Sequence, residues 1–435
     1  MQTASKKVIN GWAMYDWANS VYNLVITTTF FPIYFLAVTG GGEGKHEVEF
    51  LGRTFVNSSL YDYTLAVAYL FIAFLYPILT SIADTRGNKK SFLQFFCYMG
   101  AVGSSLLYFF NASTLALGIL AFMLAAMGYV GSLVFYNAYL PEIAAPEDRD
   151  RISARGFSFG YIGSVLMQVV GFVLVMMATT DEEKGDAIRT TFLLVGIWWA
   201  GFAQITFARL PKAEKRVYEK GNVLKDGFTE IKKVYQQVKH LPVLKRFLRG
   251  FFFYSMGVQT VMLAATLFGS KVLHLEDTKL IITVVIIQLV AIIGAWSMSR
   301  LSMKYGNIKV LMGVVFLWIL ICLAAYYTAN LAEAGVDAEY YFYGLAVAVG
   351  LVMGGIQSLS RSTYSKLMPE TTDTASFFSY YDVTEKVAIV IGIFSFGFID
   401  ELTGHMKYSI LSLIVFFAIG LAWLFGALKK QQALG

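Results

Sequence analysis

Twelve apolar runs of about 20 residues restrict the fold of this 435-residue chain more than any other feature. The hydrophobic share is 57% and the charged share 15%, whereas soluble domains have roughly 45–50% and 25%. A run of this length crosses the hydrocarbon layer as a helix, in which every backbone group is hydrogen-bonded internally. The sequence therefore predicts an all-α integral membrane protein with spans at about 12–39, 60–83, 91–110, 114–138, 155–178, 190–208, 250–270, 280–299, 308–328, 340–363, 376–399 and 407–428.

Basic residues indicate how the spans are oriented. Of the 35 Lys and Arg residues, 27 fall on the side of the N terminus and 7 on the other side, with Lys386 inside a span. Loops on the second side are acidic, as at 181–183 and 400–401. Because basic loops stay in the cytoplasm, both termini are predicted to be cytoplasmic, in a multi-pass protein of the bacterial cytoplasmic (inner) membrane.

The eleventh run, Ser376–Ile399, carries Asp382, Glu385 and Lys386. Lys386 lies roughly 15 Å from the start of the run, near the middle of a hydrocarbon layer of about 30 Å. Ionisable groups at that depth normally face a partner or a watery cavity. Asp382 and Lys386 are four residues apart and are predicted to pair, with Glu385 beside them as the candidate proton carrier. The alternative is a self-neutralising pair that only fixes helix packing.

Short sequences recur in the two halves of the chain. The pairs are 87–90 with 306–309, 140–142 with 368–370 and 154–159 with 375–380, at offsets of 219, 228 and 221 residues. This pattern predicts two parallel six-helix repeats related by an axis along the membrane normal. The predicted domains are 1–208, a cytoplasmic linker at 209–249 and 250–435. The linker contains a basic amphipathic helix that either lies on the inner membrane surface or only tethers the halves.

Two motifs resemble known families. Residues 82–90, Ile-Ala-Asp-Thr-Arg-Gly-Asn-Lys-Lys, resemble the loop signature between the second and third helices of the major facilitator superfamily, from which Thr80 and Thr85 depart. Trp12–Ser20 followed by Phe31–Phe35 is similar to the opening helix of the UMF1 family, the bacterial relatives of the fungal vacuolar effluxer Atg22. The resemblance implies a major facilitator fold of twelve helices in two pseudo-symmetric halves, and efflux of small solutes, particularly amino acids.

In the fold that this resemblance implies, the first, fourth, seventh and tenth helices surround a central cavity. Polar side chains on these helices and on the eleventh are candidate solute contacts, with helix packing as the alternative. They are Asn19, Tyr22, Asn23, Tyr136, Asn137, Gln259, Gln357 and Tyr380. Asp16 is grouped with Asp382, Glu385 and Lys386 as a charge network for proton coupling, and a gate or packing contact is its alternative.

A cytoplasmic gate is predicted from charged residues at the loop ends. They are Asp84, Arg86, Lys89, Lys90, Arg155, Arg361 and Glu370. An Asp against the N-terminal end of a neighbouring helix gains roughly 0.3–1 kcal/mol, and such a contact can form in one conformation only. The alternative is that these residues only determine topology.

Other classes of function lack the residues that they need. Cys97 and Cys322 fall in apolar runs and all four histidines fall outside them, so neither a disulfide framework nor a metal cluster nor a cofactor is predicted. The loops offer no reactive cluster for an embedded enzyme, and no phosphate-binding GxxxxGK[ST] sequence is present.

The favoured function is secondary active transport, with an amino acid or similar small polar metabolite as the solute and efflux as the direction. The predicted partners are the lipid bilayer, the solute and a proton as candidate co-ion, without nucleic acid, and the chain is expected to act as a monomer. Uniport or import of another metabolite, and a non-transporting sensor or scaffold, remain alternatives.

Overall fold

The structure, a computed structural model, describes residues 2–40, 47–211 and 223–434, and these residues are almost entirely helical. The helices are α1 (Lys6–Val21), α2 (Phe31–Thr39), α3 (Asn57–Arg86), α4 (Lys89–Leu106), α5 (Leu115–Ala138), α6 (Leu140–Ile143), α7 (Arg149–Met177), α8 (Asp181–Arg209), α9 (Val223–His240), α10 (Pro242–Lys271), α11 (Asp277–Tyr305), α12 (Asn307–Glu333), α13 (Glu339–Leu367), α14 (Thr374–Thr403) and α15 (Met406–Gln432). Each of the twelve predicted spans coincides with one of these helices, or for the first span with α1, α2 and the π-helical segment between them.

Ten helical segments in the described part of the chain are long and apolar enough to cross a membrane. The other two predicted spans are α10 and α14, each of 30 residues, which corresponds to about 45 Å. They pack against each other, α10 also against α15 and α14 also against α3. All twelve therefore belong to one bundle.

The bundle consists of two groups of helices, and we refer to α1–α8 as the first half and α10–α15 as the last half. Within the first half, α4 packs on α5, and α1 packs on α7 and α8. Within the last half, α11 packs on α13, and α15 on α10 and α12. The halves meet where α7 packs on α11 and α13, and where α14 packs on α3 and α5.

One end of the bundle holds the N terminus and several short connections. The backbone N–H of Ala4 donates to the carbonyl of Ile143 at 2.9 Å, which places the start of the chain beside the end of α6. Arg149, at the start of α7, donates to the carbonyl of Ser365 near the end of α13 at 2.6 Å. We call this end of the bundle the terminal end.

Two of the repeated sequences mark sharp turns at the terminal end. Gly87 between α3 and α4 has φ +64°, and Gly306 between α11 and α12 has φ +88°. Positive φ is strained for residues with a Cβ, so glycine is favoured where a helix must stop and reverse at once. The recurrence of Gly-Asn at these positions therefore has a backbone cause.

Two local features escaped sequence analysis. Glu47–Phe50 and Arg53–Val56 form an antiparallel hairpin, with Leu51 and Gly52 at φ +51° and +73° in its turn. Residues Tyr22–Phe30 form a π-helix that joins α1 to α2. Neither feature has a strong local signal, because a four-residue strand is short and a π-helix shares the apolar pattern of an α-helix.

The linker is only partly described, since residues 212–222 and the side chains of 223–228 and 231 lie outside the described residues. Val234 and Val238 of α9 are buried, and α9 packs on α3 and α14. A helix is therefore present in the predicted linker, and these two of its apolar residues lie against the bundle. The residue boundaries proposed for the two domains remain a prediction.

Candidate functional site

An ion pair between Asp16 on α1 and Arg361 on α13 is buried between the halves, with exposures of 4% and 3%. Both terminal nitrogens of Arg361 lie 3.3 Å from Asp16 Oδ2. Tyr136 on α5 donates to the same oxygen at 2.8 Å, and Asn137 Oδ1 accepts from Arg361 at 3.3 Å. Sequence analysis grouped Asp16 with the α14 charges, whereas the structure pairs it with Arg361, because the face of α1 that carries Asp16 is turned toward α13.

Arg361 is held entirely by the first half. Besides the contacts above, it donates to Ser153 Oγ and to the Ser153 carbonyl, both at 2.9 Å. Its guanidinium also lies 4.9 Å from the ring centroid of Trp12 and 4.2 Å from that of Phe157. A separation of the halves at this point breaks every hydrogen bond that the structure gives this side chain.

The ion pair requires a glycine on α7. A Cβ at Gly156 would contact Asp16 Oδ2 and would lie 2.9 Å from Arg361 Nη2 and 3.0 Å from the Tyr136 hydroxyl. Any side chain at this position would therefore displace the charges. Only glycine, which has no Cβ, allows the backbone of α7 to approach the ion pair this closely.

The charges of α14 do not pair as predicted. Lys386 donates to Glu385 Oε2 at 2.8 Å, and its ammonium lies 5.6 Å from the ring centroid of Tyr69 on α3. Gln259 on α10 donates to the other oxygen of Glu385 at 3.2 Å. The predicted pair of Asp382 with Lys386 is therefore wrong, because Lys386 points to its neighbour in sequence and to α3.

Asp382 is the carboxylate that this arrangement leaves over. The residue is 3% exposed, and its Oδ2 has no hydrogen-bond partner among the described residues. Asn137, Lys386, Glu385 and Arg361 are its nearest electrostatic neighbours. Sequence analysis expected Glu385 to be the unpaired acid, but the structure gives that position to Asp382.

Two further candidate solute residues lie on helical segments of different halves. Asn23, in the π-helical segment, and Gln357, on α13, are half-buried. Gln357 Nε2 approaches Met262 Sδ on α10 at 3.6 Å, a weak contact that a solute could replace. Of the three candidate amides, Gln259 is the one that the structure places against the α14 charges, through its hydrogen bond to Glu385.

Three other candidates lie elsewhere. Tyr22 stacks on Trp199 of α8 at a centroid distance of 5.8 Å, which places its ring inside the first half. Asn19 is fully buried. Tyr380, near the terminal end, interacts electrostatically with Tyr235 of α9 and Arg249 of α10. Among the contacts of the described residues, none joins these three to Glu385 or Lys386.

The predicted contact of Asp84 with a helix N terminus is present. Asp84, at the end of α3, accepts from the backbone N–H groups of Ala375 and Ser376 at 3.2 and 2.8 Å, and from the Ser376 hydroxyl at 2.8 Å. These groups form the first turn of α14, where unpaired N–H groups attract an anion. The contact joins the first half to the last.

Lys89 adds a second link at the same place. It forms an ion pair with Glu142, donates to Thr374 Oγ1 at 2.8 Å, and lies 3.7 Å from Asp84. Glu142 also accepts from the Thr374 hydroxyl at 2.6 Å. Glu142 was visible in the sequence only as part of a repeated Pro-Glu, which did not indicate its role.

The remaining gate candidates are Lys90, Arg155, Arg86 and Glu370. Lys90 donates to the carbonyl of Leu210, just after α8, at 3.2 Å, and Arg155 donates to Asn10 Oδ1 at 2.8 Å within the first half. Arg86 and Glu370 are exposed. Their role in a gate remains a prediction.

Sequence analysis missed a second interhalf ion pair. Asp150, at the start of α7, is fully buried and accepts from Lys366 at 2.6 Å, Ser302 at 2.7 Å and Asn307 at 2.7 Å. Lys366 also donates to Asn307 Oδ1 at 3.0 Å. The position of Asn307 in the repeated Gly-Asn was the only sequence signal for this cluster.

A neutral link lies deeper in the bundle. Gln288 on α11 donates to Gln168 Oε1 on α7 at 3.0 Å. Gln168 donates in turn to Thr29 Oγ1 and to the carbonyl of Leu24, both at 3.0 Å. The π-helical segment is thus attached to both halves through buried amides.

This arrangement of charged contacts between two six-helix halves can be compared with known proteins. The profile of the family described as "Vacuole effluxer Atg22 like" matches residues 4–433. The chain belongs to this family. The resemblance found in the first-helix motif is therefore confirmed.

Individual relatives support the same conclusion. The chain is 30% identical over 420 residues to the uncharacterized MFS-type transporter YxiO of Bacillus subtilis (strain 168), covering 95% of this chain and 92% of that one. It is 25% identical over 476 residues to autophagy-related protein 22 of Eremothecium gossypii, covering 99% and 92%. These relatives are full-length matches, so the similarity includes both halves.

A solved structure confirms the predicted fold class. The chain is similar to the structure of XylE, described as a major facilitator superfamily proton:xylose symporter, with a TM-score of 0.67 at 13% identity, over 97% of this chain and 94% of that one. The protein is thus a multi-pass membrane protein of the major facilitator fold. Its relatives and structural neighbours are transporters and not enzymes, as predicted.

The described residues include no group of three His, Cys, Asp or Glu side chains that could hold a metal ion. The chemistry available in the site is therefore that of two ion pairs, one unpaired carboxylate and several amides. Such groups bind solutes and ions by charge and hydrogen bonding.

Proposed function

We propose that this protein is a secondary active transporter that exports a small polar solute, with amino acids as the first class to test, across the bacterial cytoplasmic membrane. Its termini are assigned to the cytoplasm, and one chain forms the working unit. The observation that carries the proposal is the buried Asp16–Arg361 ion pair, which joins the first half to the last where the two halves pack together.

The position of the ion pairs between the halves supports a mechanism of alternating access. In the described residues, the ion pairs between the two halves are Asp16–Arg361 and Asp150–Lys366, both toward the terminal end. Ion pairs near the opposite end, such as Lys279 with Glu339, lie within one half. Closure at the terminal end is therefore held by contacts that a rocking motion can break together, as expected of a bistable interface.

The candidate solute contacts favour a polar solute with both signs of charge. Gln259 donates to Glu385 of the Glu385–Lys386 pair, and Asp382 adds a second carboxylate. A zwitterion satisfies both signs at once, whereas a lipid would leave them unpaired. The family description as an effluxer supports export as the direction, and a proton gradient is the proposed driving force.

Transport by the purified full-length chain in proteoliposomes tests the proposal. The panel contains radiolabelled amino acids, with sugars, dipeptides and organic acids for comparison, and each is measured with and without an imposed pH gradient. We expect counterflow of at least one amino acid and accumulation that follows the gradient.

The control is the Arg361→Met variant reconstituted at equal density, which should retain the fold and lose the rate, because closure at the terminal end depends on this residue. If the wild-type protein moves none of the panel under any gradient, the transport proposal is wrong. Movement of sugars or dipeptides alone would retain a transporter and reject amino acids.

A further inference from the structure

The charges buried near the interface of the halves do not balance. Asp16 with Arg361 and Glu385 with Lys386 form two neutral pairs. Asp382 is a third acid in the same region, 3% exposed, and no third base pairs with it in the described residues. This part of the membrane interior therefore carries one negative charge in excess.

The residues around Asp382 leave its carboxyl group without an ion-pair partner. Among the described residues, neither Asp382 Oδ2 nor the buried Ser379 Oγ, one turn earlier on α14, has a hydrogen-bond partner. The titratable and charged groups that face Asp382 are Tyr76 on α3, Arg361 and Tyr364 on α13, and Tyr381, Glu385 and Lys386 on α14 itself.

Neither of the neighbouring bases is available to it. Arg361 gives all its hydrogen bonds to the first half, and Lys386 donates to Glu385. The tyrosines are neutral at ordinary pH. An isolated carboxylate in a low-dielectric interior is so costly that it binds a positive charge from elsewhere.

A proton and a cationic group of the proposed solute are two sources of positive charge that can reach this position from water. We propose that Asp382 is a single cation site that a proton and the ammonium group of the solute occupy in turn. This inference rests on the proposed function and names the chemistry that it requires of the solute, which is a primary ammonium group. Asn137, beside the same carboxyl group, would accept or donate the remaining hydrogen bonds.

The exchange is balanced in charge and in atoms. When the ammonium group enters, the O–H bond of the Asp382 carboxylic acid breaks, and the proton leaves to the water on the side that the cavity faces. The carboxylate then pairs with the ammonium group. One proton is released for each cationic solute bound, and the charge of the site stays the same.

Glu385, the acid that the sequence favoured for this role, is less suited to it. Its two oxygens accept from Lys386 and from Gln259, so the ionised form is already stabilised. A proton on Glu385 would leave Lys386 unpaired. The two acids can therefore be distinguished by experiment.

The proton can be tested without knowing the solute. Infrared difference spectra of the full chain between acid and alkaline pH report the C=O band of protonated carboxylic acids. We expect a buried titrating band in the wild type, its loss in Asp382→Asn, and its retention in Glu385→Gln/Lys386→Met, which removes the neutral pair and keeps the excess charge. Glu401→Gln, at the exposed end of the same helix, is the matched control. A band that survives in Asp382→Asn would overturn the proposal.

The solute is tested with the amino-acid panel and the N-acetylated form of each member, which lacks the ammonium group. We expect binding by the free amino acid only, weakened by up to about tenfold for each pH unit of acidification, with about one proton released per solute into weak buffer. In Asp382→Asn, binding should weaken and lose its dependence on pH, while the melting temperature shows that the variant folds.

The outcomes separate the two proposals. Binding and transport that release no proton, or that N-acetylation does not affect, would overturn the shared cation site and leave the transport proposal intact. No binding by any amino acid would overturn the shared cation site, and the transport proposal would be overturned as well if the sugars, dipeptides and organic acids were also not transported.

Discussion

Replacement of Asp16 by Asn should open the terminal end. The substitution keeps the size of the side chain and removes one partner of a buried ion pair whose nitrogens and oxygen lie 3.3 Å apart. Removing one partner of such a pair costs about 3–5 kcal/mol, because the other charge remains buried without compensation.

The loss applies only to the closed arrangement, since Asp16 and Arg361 belong to different halves. We take the lower value, about 3 kcal/mol, because Asn137 and Ser153 still accept from Arg361 in the variant. This energy changes the ratio of closed to open molecules by roughly a hundredfold. A protein that is mostly closed would become mostly open at the terminal end.

Distances between spin labels measure this shift. Glu147 in the first half and Lys304 in the last are exposed and lie at the terminal end, and the native Cys97 and Cys322 are buried. Labels at Glu147→Cys and Lys304→Cys should give a longer distance in the Asp16→Asn background.

The matched control is Asp148→Asn, whose ion pair with Arg151 is partly exposed and lies within one half. Exposed pairs contribute about 0–1 kcal/mol, so this variant should keep the wild-type distances. An unchanged distribution in Asp16→Asn, or an equal shift in the control, would refute the role of the buried pair in closure.

Three further substitutions test the same interface. Gly156→Ala should reduce the transport rate at least tenfold, because its Cβ would contact the buried charges. Gly313→Ala, whose Cβ would have no atom within 4 Å, should leave the rate unchanged. Equal transport rates in the two variants would contradict this prediction. Asp84→Asn should lower the free energy of unfolding by about 1.5–3 kcal/mol, measured by thermal melts, because a charged acceptor of two backbone N–H groups is lost. Asp150→Asn should lower it by about 3 kcal/mol, since Lys366 would lose its buried partner, and a melt equal to that of wild type would show that this cluster does not stabilise closure.

The bundle was predictable because membrane insertion leaves so few alternatives. A run of 20 apolar residues must be helical in lipid, and each of the twelve predicted spans coincides with a helical segment, although α1, α7, α8 and α10 begin several residues before the predicted span. The recurring Gly-Asn was also informative, because the φ values of Gly87 and Gly306 require a residue without Cβ. Both signals depend only on residues that are neighbours in the chain, so they can be recognised from the sequence alone.

The site was less predictable because its contacts join distant parts of the chain. Asp16 and Arg361 are 345 residues apart in the chain, and no spacing pattern in the sequence predicts that they meet. Lys366, Ser153 and Glu142 bridge the halves, yet each looks like an ordinary polar residue at a helix end. Tyr22 and Asn19 were chosen for polarity, but the rotation of α1 turns Tyr22 into the first half.

The α14 charges show how a sound local rule can still fail. Spacing of four residues allows Asp382 and Lys386 to pair on an isolated helix, but α14 is packed on several sides. The ring of Tyr69 on α3 lies near the ammonium group, and Glu385 and Gln259 complete a neutral group there. Asp382, one turn closer to the start of α14, keeps a buried carboxyl oxygen without a hydrogen-bond partner among the described residues. Which of the two acids lacks a partner therefore depends on contacts with α3 and α10 that only the folded bundle provides.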